Sequence, residues 1–147
     1  MKLLFLCFLL TQASLFGIEP SATLAGKTGS LRDAAGRSVG SASTTGSRTT
    51  FRDASGRSTG SASLSSPGKV TFRDSSGRSQ GTATTSGSSK SFRDASGRAT
   101  GTAKTSSSGV TTYRDASGRT TGTSTQSGNR ITFRDASGRT TGTAAVK

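Results

Sequence analysis

Histidine and tryptophan are absent from the sequence, and cysteine occurs once, at position 7. Acidic residues are scarce, with 7 Asp and Glu against 20 Lys and Arg. Catalytic bases, activated nucleophiles and metal-ligand clusters need histidines, thiols or grouped carboxylates. We therefore expect no enzyme activity and no catalytic, cofactor or metal site.

Large hydrophobic residues are also few. Hydrophobic residues make up 28% of the chain and aromatic residues 5%. Burying so little apolar surface cannot offset an ordering cost of about 1 kcal/mol per residue, which excludes an ordinary globular core. The fold must rely on backbone hydrogen-bond ladders, on stacking of repeats or on assembly with other copies. Partial disorder is the alternative, because the same composition with a high net charge is typical of disordered chains.

The longest apolar run lies at the N-terminus. Met1 and Lys2 precede the apolar residues 3–10, and small and polar residues follow, which is the order of a secretory signal peptide. The run is too short to span a bilayer, which needs about 20 residues. We predict a signal peptide over residues 1–25, cleaved after Gly17 or Ala25, and a secreted bacterial protein whose mature part, residues 26–147, contains no cysteine.

The remainder of the chain is repetitive. The core R-D-[AS]-[AS]-G-R occurs six times, beginning at positions 32, 52, 73, 93, 114 and 134. An apolar residue precedes each core, and a glycine lies three residues after it. A period of 20 or 21 residues is typical of solenoids, arrays and hairpin repeats. The glycines of the connectors alternate in spacing, so a 41-residue pair of hairpins also describes the repeat.

Asp-x-x-Gly favours a type I turn, with Asp first and Gly in the left-handed conformation of a bulge. The flanking residues are β-branched and aromatic, as strands require. Each core therefore predicts a β-hairpin with a three-residue loop. The predicted turn residues are Asp33, Gly36, Asp53, Gly56, Asp74, Gly77, Asp94, Gly97, Asp115, Gly118, Asp135 and Gly138.

A regular register from this turn makes a specific prediction for the last hairpin. It pairs Phe133 with Thr141 on one face, and it places Arg134, Gly142 and Ala144 on the other face. The small residues of that second face would allow close approach of another sheet or another copy. The aromatic residues would form a ladder on the first face, either an inner ladder or a carbohydrate platform: Phe51, Phe72, Phe92, Tyr113 and Phe133.

The sequence thus predicts an all-β fold in which six tandem 20/21-residue β-hairpin repeats form a repetitive antiparallel sheet or a β-solenoid. It does not decide whether the hairpins form a flat sheet, a solenoid or a closed barrel. Its pattern of aromatic-x-Asp-x-x-Gly-Arg, as in residues 133–139, resembles the YD repeat of bacterial RHS proteins. That resemblance implies a sheet of antiparallel hairpins in a secreted or cell-surface protein. The chain is much shorter than RHS shells and lacks their tyrosine density. In plan alone it is also similar to curli-like secreted repeat proteins.

Positive charge recurs with the repeat, because each core carries two Arg and one Asp. If the hairpins stack, Asp and Arg would form ladders of alternating sign, and the surplus cations would attract polyanions. A purely structural role, solvating the sheet and guarding its edges, is the alternative. The candidate polyanion contacts are Arg32, Arg37, Arg52, Arg57, Arg73, Arg78, Arg93, Arg98, Arg114, Arg119, Arg134 and Arg139.

Three functions fit this pattern. The first is a non-catalytic structural element of the cell surface or extracellular matrix, which self-associates through unpaired strand edges. The second is a cationic binding module for lipopolysaccharide, extracellular DNA or acidic polysaccharide. The third is an ice- or surface-binding protein that uses the Thr/Ser-x-Thr/Ser triplets at residues 41–43, 61–63, 82–84 and 123–125.

Overall fold

The computed structural model describes residues 28–146. The predicted signal peptide, with its cleavage positions Gly17 and Ala25, lies outside the described residues, as do Lys27 and Lys147. No helix within residues 28–146 is long and apolar enough to cross a membrane. The chain forms twelve strands: β1 Thr28–Asp33, β2 Ser38–Thr45, β3 Arg48–Asp53, β4 Ser58–Ser66, β5 Lys69–Asp74, β6 Ser79–Ser86, β7 Ser89–Asp94, β8 Ala99–Thr105, β9 Val110–Asp115, β10 Thr120–Ser127, β11 Arg130–Asp135 and β12 Thr140–Val146.

The twelve strands form a closed antiparallel barrel in which each strand pairs with its neighbours in the sequence. The ring closes where β1 pairs with β12, with Leu31 opposite Ala144 and Asp33 opposite Gly142. The predicted all-β fold of antiparallel hairpins is confirmed, but the prediction of an open sheet or a solenoid is wrong. Closure gives β1 and β12 a second partner strand, so the backbone groups on their outer sides are hydrogen-bonded instead of forming exposed edges.

The predicted register of the hairpins is also wrong by one residue. Phe133 pairs with Gly142, and Ile131 pairs with Ala144, because Thr141 is an extra residue on β12. Side chains alternate between the two faces of a strand, so a shift of one residue moves Gly142 and Ala144 to the face that carries Phe133. The small residues therefore lie beside the aromatic ring instead of behind it.

The same bulge recurs in all six hairpins, just after the core. A bulge bends its strand and increases the local twist, both of which help a sheet to close into a barrel. The extra residues are Val39, Thr59, Gln80, Thr100, Thr121 and Thr141.

The inner face of the barrel holds the hydrophobic core. One bulky residue from each odd-numbered strand lies beside a glycine and an alanine or serine of the even-numbered strands. Because these neighbours are so small, each bulky side chain has room to pack across them on the inner face. The continuous core cluster contains Ala42, Phe51, Ala62, Val70, Phe72, Ala83, Ile131, Phe133 and Ala144, with Leu31, Leu64 and Phe92 packed against it.

The connectors that join one hairpin to the next lie at the end of the barrel opposite the R-D-x-x-G-R cores. Their conformation alternates along the chain. Gly46, Gly87 and Gly128 have φ between 56° and 58°, whereas Gly68 and Gly109 have φ of 75° and 78°. Successive members of each set are 41 residues apart in the sequence. The connector end therefore repeats with every second hairpin, as the spacing of its glycines indicates, while the opposite end repeats with every hairpin.

Candidate functional site

All six R-D-x-x-G-R cores lie at one end of the barrel. Each core joins an odd-numbered strand to the following even-numbered strand, and the strands run alternately up and down, so the six turns must share one end. We call this set of residues 32–37, 52–57, 73–78, 93–98, 114–119 and 134–139 the turn ring. Since β12 pairs with β1, the last turn is the neighbour of the first.

Each turn is held by its aspartate. In the last turn, the Gly138 N–H donates to the Asp135 carbonyl oxygen at 3.0 Å, and the Asp135 N–H donates to the Arg139 carbonyl oxygen at 2.9 Å. Oδ1 of Asp135 accepts hydrogen bonds from the Arg139 N–H and the Ser137 N–H. Gly138 has φ of 84°, which glycine adopts without a steric penalty.

The two arginines of each core have different surroundings. The first arginine turns back over its own loop: Nη1 donates to the carbonyl oxygen of the core glycine at 2.7–3.0 Å in all six copies. This contact fixes the guanidinium group against the turn. We infer that the first arginine mainly stabilises the turn.

The second arginine projects from the ring. Arg37 is exposed, and its Nε lies 2.9 Å from Oδ2 of Asp33. In the other five turns the second guanidinium forms no ion pair or hydrogen bond with any residue of the described range 28–146. These five side chains are free to bind a ligand, and they are Arg57, Arg78, Arg98, Arg119 and Arg139.

The turn ring is cationic because each core has two guanidinium groups and one carboxylate. The hydroxyl of Ser137 and the backbone N–H groups of Arg139 and Ser137 hold the pKa of Asp135 below its ordinary value. Serine hydroxyls likewise lower the pKa of Asp53 and of Asp94. In the first turn, the N–H of Arg37 and then its guanidinium group lower the pKa of Asp33. The hydrogen bonds of these carboxylates are directed into their own turns, so the arginines dominate the outward charge.

The predicted ladder of alternating Asp and Arg between hairpins is not found in residues 28–146. The side-chain hydrogen bonds and ion pairs of the core arginines and aspartates remain within one hairpin, as in the pair of Arg37 and Asp33. The reason is geometric: a type I turn aims its first side chain back at the N–H groups of the same loop. Neighbouring turns are therefore independent groups of charge.

The aromatic residues lie inside the barrel. Phe51, Phe72, Tyr113 and Phe133 are buried, and Phe92 is half-buried. The Tyr113 hydroxyl and Ser124 Oγ are 3.0 Å apart, and burial raises the pKa of Tyr113. These rings fill the core and do not offer a platform to a carbohydrate at the turn ring.

The Thr/Ser triplets lie along the barrel wall. Their middle residues, Ala42, Ala62, Ala83 and Ser124, are buried inside, so the outer two residues of each triplet lie on the outer face. One of these, Ser61, is itself buried and accepts a hydrogen bond from Arg48. They occupy four different strands of a closed barrel. Because the wall curves around the axis, these outer residues point in different directions.

Sequence reasoning missed three features of this site. It treated the two arginines of a core as equivalent, it did not place all six turns in one ring, and it did not bring the last turn beside the first. Matching glycines in the first and last repeats, Gly40 and Gly142, were an available signal. They indicate that both terminal repeats have the same neighbours as internal ones.

Comparison with protein-family models gives no match for this chain, and comparison with curated proteins gives none either.

Proposed function

We propose that this protein is a secreted, non-catalytic binding module that holds anionic polymers on its turn ring. The observation that carries the proposal is the set of exposed second arginines, five of which form no ion pair or hydrogen bond within the described residues. Arginine donates up to five hydrogen bonds in a planar arrangement suited to carboxylate, sulfate and phosphate. Lipopolysaccharide phosphates, extracellular DNA and acidic polysaccharides are the candidate ligands outside a cell.

The closed barrel favours this function over self-assembly. Growth of a fibril by edge pairing needs a strand with unpaired backbone groups. Within residues 28–146 every strand is paired on both sides, so the route that sequence reasoning gave for self-association is closed. The curved wall likewise disfavours binding to a flat crystal face, because only a few strands could touch it at once.

The test compares two variants with the same change in net charge. One replaces three second arginines of the turn ring with glutamine (Arg57, Arg98 and Arg139). The matched control replaces three cations of the connector end (Lys69, Lys104 and Arg130). Binding of chondroitin sulfate, sonicated DNA and lipopolysaccharide is measured over a series of salt concentrations.

We expect the ring variant to lose about tenfold in affinity, because three exposed charge contacts are worth roughly 0.2–1 kcal/mol each. The control should change by less than about threefold, and the affinity of the intact protein should fall steeply with salt. Equal losses of affinity in the two variants would mean that only the net charge of the protein matters, and not the turn ring. Affinity that does not depend on salt would eliminate the proposal.

A further inference from the structure

The turn ring is continuous across the point where the barrel closes. Residues 134–139 and 32–37 are at opposite ends of the sequence, yet their hairpins pair through β12 and β1 as closely as consecutive hairpins do. Gly142 contacts the Arg32 carbonyl region just as Gly122 contacts that of Arg134. The six second arginines therefore form an endless row with no first or last member.

The spacing within this row is set by the sheet. Neighbouring strands lie about 4.8 Å apart, and each hairpin contains two strands, so equivalent atoms of adjacent turns are about 10 Å apart. No aspartate of one core pairs with an arginine of the next within the described residues, so each turn is a separate contact with one extended guanidinium group.

A single turn can bind only weakly, because one exposed charge pair contributes roughly 0.2–1 kcal/mol. Useful affinity requires a ligand that engages several turns at once, since each further contact is then intramolecular. Such a ligand is a chain whose charges recur at the spacing of the turns. A linear polysaccharide with one anionic group per disaccharide repeats its charge over two sugar rings, which is close to this distance.

We propose that the turn ring is a continuous track for a linear acidic polysaccharide, which runs along the rim from turn to turn and across the closure between β12 and β1. This inference rests on the proposed binding function and names its ligand class. A duplex nucleic acid fits the track less well, because each of its strands carries one phosphate per about 3.4 Å of helix axis, so most phosphates would lie between turns.

The experiment uses three variants that each retain three of the six second arginines, the others being replaced with glutamine. The seam variant retains Arg119, Arg139 and Arg37, which are consecutive only if the barrel closes. The run variant retains Arg37, Arg57 and Arg78, which are consecutive in the sequence. The alternate variant retains Arg37, Arg78 and Arg119, no two of which are neighbours.

All three variants have the same net charge, and all three keep Arg37 with its Asp33 partner. The probe is a hyaluronan hexasaccharide, which carries three carboxylates, titrated at low ionic strength and followed by amide NMR shifts. Dispersed amide spectra identify the folded variants, and we expect all three to fold because the replaced side chains are exposed.

We expect the seam and run variants to bind the hexasaccharide within about twofold of each other, and the alternate variant to bind about tenfold more weakly. Equal binding by all three variants would overturn the continuous track. Weak binding by the seam variant alone would mean that the track does not continue across the closure between β12 and β1. Tighter binding of a thymidine tetranucleotide, with three phosphates, would overturn the polysaccharide assignment.

Failure of the proposed function has a different signature. In that case the intact protein, with all six second arginines, would bind neither the hexasaccharide nor long hyaluronan, chondroitin sulfate or DNA. Binding of long polymers by the intact protein, together with equal hexasaccharide binding by the three variants, would leave the proposed function standing and remove only the track.

Discussion

Gly142 lies directly against the backbone of Arg32: a Cβ placed on Gly142 would be 2.6 Å from the Arg32 carbonyl oxygen. The glycine belongs to the last hairpin and the arginine to the first. Each of the other five glycines in this position contacts the core arginine of the following hairpin in the same way. The last repeat is therefore followed by the first, and the barrel has six equivalent interfaces between hairpins.

Substitution of one of these glycines should destabilise the barrel. In Gly122→Ala the new Cβ would overlap the Arg134 carbonyl oxygen, which is backbone and cannot move without shifting β11. We expect a loss of roughly 1–3 kcal/mol in the free energy of unfolding, measured by denaturant titration. Thr125→Ala, at an exposed position of the same strand, is the control and should change stability by less than about 0.5 kcal/mol.

A change of 0.5 kcal/mol or less in Gly122→Ala would contradict the close approach of the two hairpins. The same comparison applies at Gly142, where the contact crosses the closure. A Gly142→Ala variant as stable as the intact protein would indicate that β12 and β1 do not lie together.

A buried pair of threonines gives a second prediction. Oγ1 of Thr44 and Oγ1 of Thr49 are 2.9 Å apart, and both residues are almost fully buried. Thr44→Val removes one partner and leaves the other hydroxyl buried without a hydrogen bond, which costs about 1–3 kcal/mol of stability. The double variant Thr44→Val, Thr49→Val removes both hydroxyls and should recover most of that loss.

Calorimetry or denaturant unfolding of the two single variants and the double variant forms the cycle that tests this pair. Additive losses, with the double variant the least stable of the three, would mean that the two hydroxyls do not form a hydrogen bond.

The turn aspartates predict a pH dependence. Hydrogen bonds hold the folded-state pKa of Asp33, Asp53, Asp94 and Asp135 below its ordinary value. Their contribution is therefore fully present above the unfolded pKa, about 3.9, and is lost as pH falls through the lower folded-state pKa. With no histidine in the chain, the melting temperature should stay level between about pH 5 and pH 8.

The pH prediction is checked by circular dichroism melts of the intact protein and of a variant with Asp53, Asp94 and Asp135 replaced by Asn. The acid-side fall in melting temperature should be smaller in the variant, because three of the titrating groups are gone. A fall of the same size in both proteins, or a fall that begins near pH 6, would contradict the role of these carboxylates.

The hairpins were predictable because each turn is encoded locally. Asp135 accepts the N–H groups of its own loop and Gly138 supplies a positive φ, and neither contact requires another hairpin. The different hydrogen bonding of the two arginines was not predictable, because both are exposed and which guanidinium group returns to the Gly138 carbonyl depends on the three-dimensional twist of the turn.

The register and the closure were beyond local reasoning. Thr141 is an ordinary strand residue, so nothing in its type indicates that it lies in a bulge and shifts Gly142 onto the inner face. Closure depends on the number of hairpins and on the accumulated twist, which are properties of the whole chain. The clue that remained was the alternation of small residues, as in Gly142 and Ala144, which can lie beside a bulky side chain of the next strand on an inner face.

Pairing of the first and last strands is the central claim, since it places all six turns in one ring. Ser30 and Ala145 are opposite one another on β1 and β12, at a Cα separation of about 4.5–5.5 Å that a disulfide can bridge. The measurement is oxidation of a Ser30→Cys, Ala145→Cys variant in a Cys7→Ser background, analysed by mass spectrometry of the monomer. We predict a disulfide within one chain, and none in a control with Ser30→Cys and Thr102→Cys, whose strands are not neighbours. Two free thiols in the monomer, or disulfides only between chains, would contradict the closed barrel.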